Sequence, residues 1–348
     1  MKNVRFKNRF LVLSVLLLSI GNHVLANEKA EQFLERETVR EYIRQFSAEN
    51  NLNVNRVAGL FAGLKSQQSI LDAISRPAER TLTWREYRPI FITQRRITKG
   101  QAFMREHRAL LERAQARFGV PAEIITAIIG VETYYGGNMG SYGVLEALAT
   151  LSFDYPRRSE FFTHEMTEFL LLGEAEGWDT MSLKGSYAGA MGMPQFIASS
   201  YREYAIDFDQ DGTRDLFESH ADIIGSVANY LTRHGWLENA AIAEQWLPEN
   251  GIDEPLRQLV RESLVPAIPK ATVKKLGFES PAMNDSTAAG DLLSVMTMDT
   301  DSEPELWIGY QNFYAITRYN HSRLYAMAVF QLAEAIRPAT AKGNGESL

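Results

Sequence analysis

Between residues 28 and 115, apolar positions recur three and four apart among charged ones, most clearly over Glu37 to Phe46 and Gly100 to Phe118. That period gathers apolar side chains on one face of a helix, so a helical region is predicted. Arg76-Pro77 and the stretch around Arg88-Pro89 are expected to interrupt it, because proline removes a backbone donor. From Val120 to Trp236 the pattern changes to short helical runs separated by glycine-rich turns, which suits a packed core that presents loops to a cleft. The span 250 to 300 differs again: Val265-Pro266-Ala267-Ile268-Pro269, Thr272-Val273 and Leu292 to Met298 are short, turn-bounded and partly β-branched, and predict a small strand-containing module. Helical periodicity resumes from Tyr310 to Ile336, and the Gly-, Ser- and Lys-containing tail after Pro338 is expected to be disordered.

Composition adds that 348 residues, 45% hydrophobic and 11% aromatic, can build packed cores for two or three domains. The first 26 residues stand apart. Lys2, Arg5, Lys7 and Arg9 precede an apolar run from Phe10 to Ile20, and Val24-Leu25-Ala26 offers small residues for cleavage, the pattern of a secretory signal peptide. An uncleaved anchor is the alternative, although a spanning helix needs about 18 or more apolar residues. Losing those four basic residues takes the formal charge from −7 to −11, which argues against a nucleic-acid partner. The chain has no cysteine, so it must hold together by packing or a metal, and no N-terminal thiol exists to carry a lipid. A soluble periplasmic protein without a stable membrane anchor is expected.

Candidate chemistry begins at Gly119-Val120-Pro121-Ala122-Glu123, which opens like a helix with Pro121 at its first position and Glu123 in its first turn. Ile125, Ile128 and Ile129 lie seven, four and three residues before Glu132, so helical spacing puts that carboxylate on the buried face. Gly136, Gly137 and Gly140 follow, placing Glu132 near a helix C-terminus, where the macrodipole is negative. Poor solvation and a negative dipole both favour the protonated form, and a carboxylic acid that stays protonated near neutral pH can serve as a general acid. Spacing alone leaves open a glutamate that pairs with an arginine or turns to solvent. Its surroundings favour chemistry: Thr133-Tyr134-Tyr135-Gly136-Gly137-Asn138 and the later loop Gly185-Ser186-Tyr187-Ala188-Gly189-Ala190-Met191-Gly192-Met193-Pro194-Gln195-Phe196 combine aromatic faces with hydroxyls and amides, the materials of a sugar site.

At these residues the chain resembles the lytic murein transglycosylases of the B type. The resemblance rests on Gly130-Val131-Glu132-Thr133, the run Ala149 to Arg158, the Gly185 to Phe196 loop, Gly225-Ser226-Val227-Ala228-Asn229-Tyr230 and Ala315-Ile316-Thr317-Arg318-Tyr319-Asn320, and spans roughly residues 40 to 335. It implies a mainly α (α+β) fold: a lysozyme-like core, 116–240, flanked by a helical domain, 27–115, that the C-terminal helix 305–337 joins, and by a small β module, 241–304. Glu132 falls on the family's catalytic glutamate. Ser186, Gln195, Tyr230, Tyr319 and Asn320 are implied as glycan contacts, with Tyr87 as an aromatic wall; Arg157 and Arg158 would meet carboxylates of the stem peptide or form internal ion pairs.

Glycosidases generally need two carboxylates. Near Glu132 only Glu146 and Asp154 offer themselves, and either could equally face solvent. The resemblance removes the need. It implies that Glu132 protonates the oxygen between N-acetylmuramic acid and N-acetylglucosamine, then accepts the proton of the muramoyl C6 hydroxyl as that oxygen closes on C1, giving a 1,6-anhydro product without a cofactor. Peptidoglycan glycan strands are the implied partner, with wall-synthesis or wall-hydrolysis proteins as further ones. A hydrolytic muramidase and a non-catalytic wall-binding protein are the competing readings.

A second motif is independent of the first. Asp207-Phe208-Asp209-Gln210-Asp211-Gly212-Thr213-Arg214-Asp215-Leu216-Phe217-Glu218 follows the twelve-residue EF-hand pattern, with Asp207, Asp209, Asp211, the Thr213 carbonyl, Asp215 and Glu218 as oxygen ligands. An acidic surface turn is the alternative, but carboxylates so gathered repel one another without a cation. A structural calcium ion is expected, since acid–base cleavage has no use for one. The six histidines show no metal-ligand spacing, the glycines make no phosphate loop, and no nucleophile elbow is present.

Overall fold

The computed structural model describes residues 33–76, 82–249, 251–261, 263–284 and 292–337; the predicted signal segment 1–26 and tail 338–348 lie outside the described residues. Close contacts divide the chain into two compact units, one ending at Ser66 and the other beginning at Gln67. In the first, Glu37–Glu49 and Val54–Phe61 are helices. Val39, Ile43 and Phe46 form the buried stripe that helical spacing predicts, and the Asn53 side chain caps the second helix by accepting from the backbone of Asn55 and Arg56.

The second unit is mainly helical with two small antiparallel sheets. At its centre, helix Ala122–Thr133 is apolar on every side, and Ile124 to Val131 are all buried. Around it pack Gln94–Glu106, Arg108–Phe118, His220–Arg233 and Arg323–Ile336. Tyr135 fills the gap toward the first of these. A Cβ on Gly130 would stand 2.6 Å from its ring, and one on Gly100 would collide with its hydroxyl, so only glycine lets the tyrosine in.

Strands β1 (Tyr142–Gly143) and β2 (Lys184–Gly185) pair to join the turn after the central helix to the second glycine-rich loop. The larger sheet comprises β3 (Ala243–Trp246), β4 (Ile268–Pro269), β5 (Leu292–Met298) and β6 (Glu305–Gly309), in the spatial order β3-β6-β5-β4 with every pair antiparallel. It has a hydrophobic core of its own, built from Trp246, Leu256, Val273, Leu293, Val295 and Ile308 among others.

Several local expectations are corrected. Thr272-Val273 is helical, within Lys270–Lys275, where Pro269 at φ −60° starts the turn and Val273 fills the module core as a strand residue would. Of the proline-rich run, Ile268 and Pro269 pair with β5 and the Ala267 N–H reaches the Leu293 carbonyl at 3.0 Å, and the ladder stays short because Pro266 and Pro269 have no N–H to donate. Residues 305–309 belong to the central strand β6 rather than to a C-terminal helix; consecutive burial of Leu306 to Gly309 reflects cover on both faces. Helix follows in two pieces, Gln311–Thr317 and Arg323–Ile336. The segment Gly100 to Phe118 breaks at His107, whose φ −104° and ψ 24° leave helical geometry. Conversely, Trp84–Phe91 runs straight through Pro89. Proline costs that helix one backbone bond, and the Glu86 carboxylate secures its start by accepting the Thr83 N–H at 2.9 Å. Among the described residues no single helix is long and apolar enough to cross a membrane.

Candidate active site

Glu132 is the last residue but one of the central helix, and the helix stops there for a reason the glycines did not suggest. Tyr134 and Tyr135 both take left-handed conformations, at φ 55° and 57°, and their N–H groups close on the carbonyls of Gly130 and Ile129 at 3.1 and 3.3 Å. Each such non-glycine conformation costs on the order of 1–3 kcal/mol. Packing of the Tyr135 ring offsets it, as do the bonds of Thr133, whose hydroxyl donates to the Met193 carbonyl at 2.9 Å and accepts the Gly136 N–H at 3.1 Å. The end of the helix is thereby stitched to the 185–196 loop.

The two meet in a cleft of about 1160 Å³. It brings together Glu132, Ser186, Gln195, Tyr319, Asn320 and Arg158 from four separate stretches of chain. Ser186 Oγ accepts the N–H groups of Ala188 and Ala190 at 3.2 and 3.1 Å, which leaves its own proton to donate. Gln195, at φ 53°, spends its amide nitrogen on the carbonyls of Met139 and Gly192 at 3.1 and 2.8 Å, leaving Oε1 as an acceptor. The Tyr319 hydroxyl donates to Pro194 O at 2.7 Å, so this residue offers the cleft a ring rather than a hydroxyl. Arg158 lies exposed on the rim with its guanidinium 4.1 Å from the Phe161 ring centroid.

Three expected contacts are not on the cleft wall. Tyr230 is 7% exposed, its hydroxyl donates to Arg318 O at 2.6 Å, and its ring supports Tyr319 from behind at 4.7 Å between centroids. Tyr87 is 1% exposed and packs against Phe91; Trp84, three residues earlier on the same helix, supplies the wall instead. Arg157 is exposed and does not line the cleft. Neither Glu146, which accepts from Gln67 Nε2 at 2.8 Å, nor Asp154 lines it. Its one carboxylate besides Glu132, among the described residues, is Asp299 on the exposed loop after β5.

Sequence reasoning missed Tyr325. From the C-terminal helix its hydroxyl donates to Glu132 Oε1 at 2.6 Å. Burial pushes the phenol well above its ordinary range and the Glu132 charge adds to this, so Tyr325 serves as a donor and never as a base. Tyr319 is raised by the same two causes.

Elsewhere in the same unit, Asp207, Asp209 and Asp211 bring one carboxylate oxygen each within 4.8 Å of one another. The Asp207 carboxylate accepts the backbone N–H groups of Gln210, Asp211 and Gly212 at 2.6, 3.1 and 2.9 Å, and fully buried Asp222 holds both ends of the loop by accepting from Phe208 and Asp215 at 2.7 and 2.8 Å. Asp215 turns to the N–H groups of Phe217 and Glu218, and the exposed Glu218 carboxylate stands outside the cluster of three. An all-oxygen donor set of this kind fits a hard divalent cation.

Residues 35–334 match the family described as Transglycosylase SLT domain. The chain is 36% identical over 325 residues to membrane-bound lytic murein transglycosylase B of Escherichia coli (strain K12), covering 92% of this chain and 86% of that protein. Its fold is similar to the crystal structure of soluble lytic transglycosylase SltB1 from Pseudomonas aeruginosa, at 44% identity and a TM-score of 0.79 over 86% of this chain and 98% of that one. It is likewise similar to the Escherichia coli lytic transglycosylase Slt35 in complex with calcium, at 35% identity and a TM-score of 0.78 over 88% and 95%. The mainly helical, lysozyme-like architecture is shared with these two solved structures, and the chain belongs to the transglycosylase SLT domain family.

Proposed function

We infer that the chain is a peptidoglycan lytic transglycosylase in which Glu132 is the single acid–base group, set in a core of residues 116–240. The observation that carries this assignment is a carboxylate on the wall of a sugar-sized cleft, gripped by Tyr325, with no second carboxylate there among the described residues except one on an exposed loop. The Tyr325 bond to Oε1 fixes the orientation of the carboxyl that carries the transferable proton. Protonation of the glycosidic oxygen breaks its bond to the muramoyl C1; the C6 oxygen then bonds to C1 and yields its proton to Glu132, which restores the acid without consuming water. The substrate's own N-acetyl group shields the positive charge at C1 in the manner of substrate-assisted glycosidases. Ser186 donates to the glycan, Gln195 Oε1 accepts from it, Tyr319 stacks on a ring and Asn320 bonds to its oxygens. Arg158 puts a cation on the rim for stem-peptide carboxylates. Tyr230 acts behind the wall.

The loop 207–218 holds calcium as a structural ion, through the three clustered aspartates and the Thr213 carbonyl; the oxygen donor set supports this, as does the calcium complex of the relative Slt35. Residues 1–26 direct export to the periplasm, where the substrate lies.

Digestion of purified sacculi followed by mass spectrometry of the released sugars tests the assignment. Wild type is expected to release 1,6-anhydromuramoyl products, and Glu132→Gln, which keeps the shape and loses the acid, to be slower by roughly 10²–10⁴-fold. Reducing ends in place of anhydro ends would make the enzyme a hydrolytic muramidase. Sacculus binding without soluble product would make it a wall-binding protein.

A further inference from the structure

Helix Ala122–Thr133 turns the negative end of its macrodipole toward Glu132, and a carboxyl in that position parts with its proton reluctantly because the anion it leaves is repelled. A cation stands at that end. Lys99 reaches across from helix Gln94–Glu106 and donates from Nζ to the Tyr134 carbonyl at 2.9 Å, two residues beyond Glu132. The ammonium lies 4.6 Å from the Tyr134 ring centroid, and a Cβ on Gly137 would meet it at 3.2 Å, so the turn 134–137 closes around it. Arg96 and Arg95 also approach that ring, at 5.1 and 5.8 Å. Arg96, however, commits Nη1 to the Ile90 carbonyl at 2.6 Å, and Arg95 is exposed; of the three, Lys99 bonds the end of the helix. Lys99 does not line the cleft, so its influence on the reaction must pass through Glu132.

We propose that Lys99 is a positioning residue for the reaction: its ammonium offsets the dipole at the helix end, so that Glu132 can release its proton to the leaving oxygen and recover one from the C6 hydroxyl. The proposal rests on the catalytic role given to Glu132 above. A group that must both give and take a proton works best when neither form is strongly favoured. The apolar core and the helix dipole favour the protonated form, and Lys99 pulls the other way. From other elements, Tyr325, Tyr319 and Tyr230 also act on Glu132; burial holds all three phenols above their ordinary range, so they stay neutral as the acid titrates. Arg158, Asp299, His321 and Arg323 line the same cleft and are common to every variant, so a difference between variants isolates Lys99.

Three substitutions separate the charge from the bond. Lys99→Met keeps the length of the side chain and loses both, Lys99→Gln keeps an N–H donor without the charge, and Lys99→Arg keeps the charge. Initial rates of anhydromuramoyl release from sacculi are measured at limiting substrate across pH. A general acid acts in its protonated form, so the rate falls as pH rises through its pKa, and loss of a neighbouring cation moves that limb upward. Lys99→Met and Lys99→Gln are expected to move it by roughly half a pH unit to one, and Lys99→Arg to leave it in place. A limb that stays put in both neutral variants overturns the proposal even where rate or melting temperature falls, since a simple helix cap would do the same; an equal shift in Lys99→Arg overturns it too. Titration of the Glu132 carboxyl by NMR in the free protein, its resonance assigned by loss in Glu132→Gln, reads the same shift without substrate. Product with no NMR shift overturns the role of Lys99, whereas an NMR shift in a protein that releases no anhydro product overturns the cleft assignment.

Discussion

Glu132 could be picked out from its own neighbourhood because a helix repeats its faces every few residues, and the isoleucines at 125, 128 and 129 show which face is buried. Its partner could not. Tyr325 is 193 positions away in an apolar stripe where a tyrosine reads as ordinary core, and only packing of the C-terminal helix on the central one brings its hydroxyl to Oε1. The resemblance implies Tyr87 at the wall where Trp84 stands; the two share one helical face, and depth along that face depends on what packs against it. Tyr325 is a positioning residue, acting through Glu132. Tyr325→Phe keeps the buried ring and loses the bond, so the carboxyl is held less firmly toward the scissile oxygen. Misplacement of a reacting group by about 1 Å can cost 10²-fold. We expect kcat to fall by roughly ten- to a hundredfold with KM nearly constant, read from initial rates of anhydromuramoyl release across substrate concentrations. An equal loss of both, or a change in KM alone, would give Tyr325 to substrate binding or to general stability instead.

Elements were legible wherever their contacts are local. The buried stripe of Glu37–Glu49 follows directly from spacing, whereas β6 was missed because a central strand covered on both faces has no alternation to reveal it. The acidic loop is the extreme local case: Asp207 is bonded to three N–H groups within five residues of itself, so its spacing in sequence is already its geometry. Glu218, at the loop's far end, is not drawn in, since its orientation depends on how the next helix leaves. A bound calcium ion would neutralise three carboxylates that otherwise repel, and an ion at about 100 times its Kd adds about 2.7 kcal/mol to the folded state. For a unit of this size that raises Tm by roughly 5–10 °C. Calorimetry in calcium against calcium with excess chelator should show that rise, and Asp209→Asn should remove most of it. Identical unfolding temperatures in the wild type would remove the ion from the loop.

The whole molecule has a pH dependence that no single motif announces, because it comes from histidines scattered along the chain and partly withdrawn from water by folding. His107 stacks on His220 at 4.2 Å, His234 stacks on Tyr230 at 4.1 Å, and His321 stands 2.9 Å from Arg318. All three are held below the ordinary imidazole range, in each case first by burial, with neighbouring positive groups adding to it. The folded chain therefore binds fewer protons than the unfolded chain as pH passes downward through about 6.5, and stability rises with pH wherever the unfolded state binds more. The contribution is complete above about pH 6.5 and is lost as pH falls toward the depressed folded values. Acidification also relieves the self-repulsion of a net negative chain, an effect of opposite sign, but that relief comes mainly from carboxylates, which titrate near pH 4. Between about pH 7.5 and 5.5 the histidines decide. Melting temperatures measured in saturating calcium should fall over that interval, and His107→Phe, which replaces the imidazole with a ring that cannot take a proton, should flatten the slope. A Tm at pH 5.5 equal to or above that at pH 7.5 would mean that the three imidazoles accept their protons without disturbing the packed rings around them.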